Sequence, residues 1–332
     1  LMAPGAGDRL TGYLDGEAIG VCGLGPSGED GLTVPFKKSS THLVLLADNL
    51  GRYSSGAHLG DRKGLFSHLY DRTPFTAGRM SLVEEEPLDL LEGYAPMWET
   101  REGDVTHPLR ATWSFVHRKK SPLVISINEF FAPAVLVLND QIIRVLDRSG
   151  FDRIVLDQEE LNRGNNKLQL ALAADAISEE DAKEALSKLA ASMTIDEGTT
   201  AVTEKAEWAF AKWEPPAPTA YKPLAKIHTG LKALPDTPVW WKSTFPTPDT
   251  SRPLFVDLTG MTKGQVMLNG HNVGRYWVSD GKGNAVPPQT LYYLPAPWLE
   301  EDRHNELVLF DEHGGQPSKT SLVFGDPLVG HK

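Results

Sequence analysis

One layout recurs three times along the chain, and it restricts the fold more than any other feature. The first copy reads "LTGYLDGEAIG", "LTVP", "THLVLLADN"; the second "AVLVLNDQIIR", "RIVLD", "NNKLQLALA"; the third "GQVMLNGHNVG", "TLYYLP", "HNELVLFDE". Each copy is a strand, a two-residue turn of the Asx type, a short strand entered through Ile19, Ile143 or Val273, and two further strands. Asp15-Gly16 and Asn269-Gly270 suit type I′ hairpins, because both central residues tolerate positive φ and the turn then matches the twist of its strands. Asn139-Asp140 fits the same turn at higher cost. Val266 and Leu268 alternate with Gln265 and Met267, the period of a half-buried strand.

Short strands with turn signals at regular spacing predict a mainly all-β chain of several jelly-roll-like sandwiches. The expected modules are a first sandwich over residues 1–80, an inserted second sandwich-like module over 96–215, and a C-terminal sandwich over 235–328. The first copy shows no obvious opening strand ahead of "RLTGYLDG". One stretch breaks the β pattern: residues 178–193 read as a helix, with Ser178 and Asp181 as a capping box and Ala182, Ala185, Leu186 and Leu189 on one face. The run 214–223, "EPPAPTAYKP", reads as an extended linker.

Charge and composition close off several function classes. The net charge of −11 opposes a nucleic-acid partner, because a phosphate backbone would be repelled. No apolar run approaches the roughly 20 residues of a membrane helix. Cys22 is the sole cysteine, so neither an intrachain disulfide nor a cysteine-based zinc site is expected. The first residues show no charged and then apolar leader pattern, so no signal peptide is read there. The histidines, among them His58, His271, His304 and His313, are scattered without helical ligand spacing, and no metal or cofactor site is expected. Asp311-Glu312 is the one weak pointer to a structural Ca²⁺, without a clustered oxygen-ligand loop to support it.

Two long segments carry a family resemblance. "LVLLADNLGRYSSGAHLGDRKGLFSHL" (43–69), and "KGQVMLNGHNVGRYW" (263–277) with "PQTLYYLPAPWL" and "HNELVLFDE", resemble the β-domains of glycoside hydrolase family 35, the β-galactosidases. The resemblance implies galactose-binding-like jelly rolls that accompany a catalytic (β/α)₈ barrel in the same or an associated polypeptide. A retaining barrel holds two carboxylates about 5–5.5 Å apart. This chain shows neither the strand–helix alternation of a barrel nor its motifs, so no catalytic residue is assigned to it. The resemblance further implies a secreted or periplasmic setting and a galactoside-type carbohydrate as partner.

The sequence departs from the family pattern at the loop after Gly51-Arg52, where Ser55 stands in place of a sugar-facing tyrosine and Tyr53 lies two residues earlier. Tyr53, Ser55, Tyr276 and Trp277 are therefore the carbohydrate-contact candidates. Arg52, Asp61, Lys63 and Arg275 are read as residues that fix loops through ion pairs or bonds to carbonyls. "LVISINEFF" (123–131) has the look of a catalytic strand ending in Asn128-Glu129. Its place in the repeat makes it the opening strand and turn of the second sandwich instead.

The expected function is thus the non-catalytic β-sandwich region of a β-galactosidase-like glycoside hydrolase, supporting hydrolysis of terminal β-galactosides by a barrel outside this chain. The alternative is a free carbohydrate-binding module or lectin for galactosides. The inserted module with its helix is also a candidate surface for self-association into a homo-oligomer.

Overall fold

A computed structural model describes residues 1–37, 42–52, 54, 59–90, 105–127, 133–146, 152–173, 177–224, 237–247, 251–287 and 289–325. Every strand pairing in it is antiparallel.

The N-terminal part holds β1 (Ala6–Gly7), β2 (Arg9–Leu14), β3 (Glu17–Gly23), β4 (Leu43–Asp48) and β5 (Gly64–Leu65). They form a three-stranded sheet, β3-β2-β4, and a two-stranded ribbon, β1-β5. Among the described residues these are one sheet and a short ribbon, where a full sandwich was expected. All six residues of β2 are buried, so both faces of this small sheet are covered. Leu10 joins Ala3, Cys22, Leu32 and Leu69 in a small apolar cluster, while Arg9 and Tyr13 reach residues of the opposite face described below.

The middle part holds β6 (Tyr70–Pro74), β7 (Ser81–Glu84), β8 (Leu109–His117), β9 (Leu123–Ile127), β10 (Ala134–Leu138), β11 (Gln141–Leu146), β12 (Asp152–Leu156), β13 (Gly164–Leu172), helix α1 (Glu179–Ala191) and β14 (Met193–Ala201). Two sheets, β11-β10-β13-β8-β7 and β12-β9-β14-β6, enclose the chain's largest apolar core. Strand β6 lies within the segment expected in the first module and β7 between the two expected modules, yet both extend the sheets of the second. They cover the edges that β14 and β8 would otherwise leave open. Ser178 accepts a hydrogen bond from Asp181 N, and Ala182, Leu186 and Leu189 face the core, as the capping box and spacing require. The run "LVISI" is β9, a fully buried strand between β12 and β14; Glu129 lies outside the described residues.

The C-terminal part holds β15 (Val239–Phe245), β16 (Leu254–Asp257), β17 (Lys263–Leu268), β18 (His271–Trp277), β19 (Leu291–Leu294), β20 (Asn305–Asp311) and β21 (Ser321–Phe324). Sheet β15-β20-β17-β18 faces sheet β19-β16-β21 over a core that includes Leu254, Val256, Val266, Leu268 and Leu309. The strand orders β8-β13-β10-β11 and β15-β20-β17-β18 match one for one, as do β12-β9-β14 and β19-β16-β21. The second and third copies are therefore one topology built twice.

The three copies also agree at atomic detail. Both central turn residues have positive φ in each: Asp15-Gly16 at 51° and 88°, Asn139-Asp140 at 51° and 67°, Asn269-Gly270 at 49° and 81°. The turn side chain then stitches its hairpin to the last strand of its copy. Asp15 Oδ1 accepts from His42 N (3.0 Å), Asn139 Oδ1 from Lys167 N (3.0 Å) and Asn269 Oδ1 from Glu306 N (2.7 Å). Each hairpin carries one bulge at the same place, and the residue skipped is Ile19, Ile143 or Val273. Each of these branched side chains packs against its own core.

Candidate functional site

The two segments that carry the resemblance end on opposite sides of one seam, where the N-terminal sheet meets the C-terminal sandwich. Asp48 closes β4, and Lys263 opens β17, 215 residues later in the chain. The Lys263 ammonium is 0% exposed and bonded to the carboxylates of both Asp48 and Glu312. Arg275 on β18 adds a bond to Asp48 Oδ1 (3.0 Å) and another to the Asn49 carbonyl, at the start of the loop that continues into Arg52. A buried cation held between two carboxylates is costly to desolvate and offsets that cost only when both partners are in place. Separating the two parts at this seam would leave buried charges uncompensated.

Arg9 supports the same seam from β2. Its Nη1 donates to the carbonyls of Leu24 and Pro26 at 2.9 Å, and its guanidinium lies 5.0 Å from the Trp277 ring centre. The Lys263 ammonium lies 5.2 Å from the same ring. Gly25, at φ +84°, lets the backbone come close to this indole, because a Cβ there would sit 2.5 Å from Trp277. Ser27 Oγ donates to Asp280 Oδ2 at 2.7 Å, and Tyr13 OH to the Glu312 carbonyl at 3.4 Å. Burial raises the Glu312 carboxyl, against the attraction of Lys263, and lowers the Arg9 guanidinium. The hydrogen bond from Asn284 is the main cause that holds Asp280 far below the usual aspartate range; burial opposes it, and the bond from Ser27 adds to it.

The residues singled out from sequence fare unequally. Arg275 is bonded into the seam. Lys63 pairs with Asp8 at 2.7 Å, and Asp61 accepts from Arg144 at 3.2 Å, a bond that ties the N-terminal part to the middle one. Burial weakens the Arg144 charge, but its bonds to Asp152 and Asp61 outweigh that and raise its pKa. Arg52 is exposed. Tyr53 and Ser55 lie outside the described residues.

Tyr276 requires a correction. It is 0% exposed, inside the C-terminal core, and donates to the Phe310 carbonyl (2.6 Å) and Asp311 Oδ2 (2.9 Å), so it cannot touch a sugar. Strand alternation turns it inward and turns its neighbour Trp277 to the seam. Trp277 is half-buried, with Arg9, Lys263 and Gly25 packed around its ring. Asp311 instead organises a loop, accepting from Thr262 N (2.7 Å), Thr262 Oγ1 (2.5 Å), His313 N (3.0 Å) and Gly315 N (2.7 Å) as well as from Tyr276. Among the described residues no group of His, Cys, Asp and Glu is arranged to hold a metal ion.

Asp48, Lys263 and Arg9 are the residues that sequence reasoning missed, and Glu312 was singled out only as a weak pointer to Ca²⁺. The signal was present in part: Asp48 and Lys263 sit inside the two family-like segments.

Comparison with known proteins bears on the same region. Residues 238–305 match the family model "Beta-galactosidase, galactose-binding domain". Beta-galactosidase 8 of Arabidopsis thaliana is 36% identical over 107 residues, which covers 26% of this chain and 12% of that protein. Beta-galactosidase 7 of Oryza sativa subsp. japonica is 44% identical over 83 residues, 25% of this chain and 11% of that protein. The match thus spans only about a tenth of these relatives' length. A solved GH2 β-galacturonidase from Eisenbergiella tayi aligns at 10% identity over 78% of this chain and 44% of its own, with a TM-score of 0.23, too low to carry an argument. Residues 238–305, in the C-terminal sandwich, are thus similar to the galactose-binding domain of β-galactosidases.

Proposed function

We propose that this chain is the non-catalytic β-sandwich region of a β-galactosidase-like glycoside hydrolase. Its role is to support hydrolysis of terminal β-galactosides by a barrel domain outside these residues. The observation that carries the reading is the Asp48–Lys263–Glu312 seam. It locks the family-like segment 43–69 against the galactose-binding domain, and it anchors the loop from Asn49 through Arg52 at its root. A loop with a rigid root is what a neighbouring active site needs from a supporting module. A free galactoside lectin is less well supported, because Tyr276 is buried and the half-buried Trp277 ring is already engaged by Arg9 and Lys263.

The test is hydrolysis of a chromogenic β-galactoside. The full product of the gene turns it over, and residues 1–332 alone do not. Turnover by residues 1–332 alone, or none by the full product, refutes the proposal. Calorimetry of residues 1–332 with galactose and galactan oligomers separates it from the lectin, which alone requires saturable binding.

A further inference from the structure

Each of the three parts of this chain sends a charged side chain to the same short piece of surface. It lies between β4 and β5, where residues 49–52 leave the N-terminal sheet and residues 59–63 return to it. From the N-terminal part, Asp8 reaches both ends: Oδ2 accepts from Leu50 N at 2.8 Å and Oδ1 from Lys63 Nζ at 2.7 Å. From the C-terminal sandwich, Arg275 donates to the Asn49 carbonyl. From the middle part, Arg144 donates to Asp61 while also bonded to Asp152 on β12. Asn49 adds a local bond, its Oδ1 accepting from Gly51 N at 2.9 Å.

Asp8 is the centre of this arrangement. One carboxylate that touches both ends holds the two stretches side by side, and its side chain is only 4% exposed. The backbones also meet closely, since a Cβ on Gly7 would lie 2.1 Å from the Arg62 carbonyl. Asp8 has φ +64°, the left-handed region that glycine enters without strain and other residues seldom adopt. Such a conformation persists where its surroundings fix it, and it clusters at working sites. Here glycine would suit the backbone better, but only a carboxylate can take the bonds of both Leu50 and Lys63. The groups that the two clamped stretches leave outward are the exposed Arg52 and Arg62, the latter 4.3 Å from the Phe66 ring centre.

We propose that Asp8 is a positioning residue for the hydrolysis proposed above. It holds 49–52 and 59–63 together so that Arg52 and Arg62 donate to hydroxyl groups of the galactoside at the neighbouring active site. The inference rests on the reading under Proposed function. A guanidinium donates in fixed directions, so its contribution depends on how firmly its backbone is held.

The test joins Asp8→Gly to Lys63→Met. Glycine relieves the backbone at position 8, and methionine leaves no stranded charge at position 63, so the thermal midpoint of residues 1–332 should stay near that of wild type. Trypsin should cut those same residues after Arg52 at least about tenfold faster, because the ends are released. In the full product of the gene, KM for a chromogenic β-galactoside should rise about ten- to a hundredfold, the worth of a charged hydrogen bond, with kcat nearly unchanged. Asp8→Asn tolerates the same φ and keeps an acceptor for Leu50 N, so its KM should fall between the two. The inference is overturned if the double variant keeps the wild-type KM, if trypsin cuts it no faster, or if the loss falls on kcat together with a lowered thermal midpoint. Each of those results leaves the reading under Proposed function standing. No turnover by the wild-type full product refutes that reading, and this inference with it.

Discussion

The middle sandwich and the seam between the two ends of the chain are held together in opposite ways. The middle sandwich closes two sheets and α1 over one continuous apolar core, with Ile125, Leu136, Leu168 and Leu186 all fully buried. The seam has apolar contacts at its margins but is centred on charge: Lys263 between Asp48 and Glu312, with Arg9 and Arg275 beside them. Apolar packing tolerates many partners of about the right size, whereas a buried ion pair tolerates only the partner that completes it. The first region stabilises one module within itself. The second resists the separation of two distant parts of the chain, because buried charges would lose their partners.

The largest expected effect comes from removing the centre of the seam. Lys263→Met leaves Glu312 buried without its cation and Asp48 with Arg275 alone, and should cost about 3–5 kcal/mol in urea unfolding. If the contrast holds, amide exchange accelerates in β2, β17 and β20 and stays slow in β9 and β10. Uniform acceleration in all five strands would mean that the two regions are one cooperative unit, and the comparison would fail. Ile125→Ala is the reciprocal experiment. It opens a cavity in the middle core, should cost about 2–5 kcal/mol, and should accelerate exchange in β9, β12 and β14 first.

Acid sharpens the comparison further. The Asp280 carboxylate is held below its ordinary value of 3.8, chiefly by the bond from Asn284, so its share of stability is complete above that value and is lost as the pH falls below it. Glu312 acts in the opposite sense, because its raised carboxyl favours the fold at low pH and that share fades as pH rises. Thermal midpoints followed from neutral pH to about pH 3 should therefore show an acid loss that is smaller in Asp280→Asn. An identical profile in the variant would remove Asp280 from the seam's account. The smallest effect belongs to Ser178→Ala, which deletes the cap of α1 and should cost about 1 kcal/mol, with faster exchange limited to the first turn of the helix.

The turns were the most legible part of the fold, because their chemistry is local. Asp15-Gly16, Asn139-Asp140 and Asn269-Gly270 adopt positive φ at both positions as their residue types demand, and Ser178 caps α1 where its spacing to Asp181 placed it. Ile19, Ile143 and Val273 were visible as a repeated feature, but only strand register identifies them as bulge residues. The membership of β6 and β7 was not legible. Their sequences "YDRTP" and "SLVE" are equally compatible with either neighbouring module, and edge pairing with β14 and β8 decides between them. Nor did alternation reveal which member of the Tyr276–Trp277 pair turns inward, since period two leaves both choices open.

The sequence by itself determined the unit of construction: a strand, an Asx-type turn, a short return strand and two further strands, written three times. Every interaction behind that unit spans a few tens of residues, and so leaves a trace in spacing. The tertiary structure alone decided that the first copy forms a small sheet covered on both faces, and that Lys263 is a buried cation. Lysine is ordinarily a surface residue, and nothing near it in the chain accounts for its burial. Its partner Asp48 lies 215 positions away, and a Coulombic pairing at that distance becomes visible only when the backbone brings the two charges together.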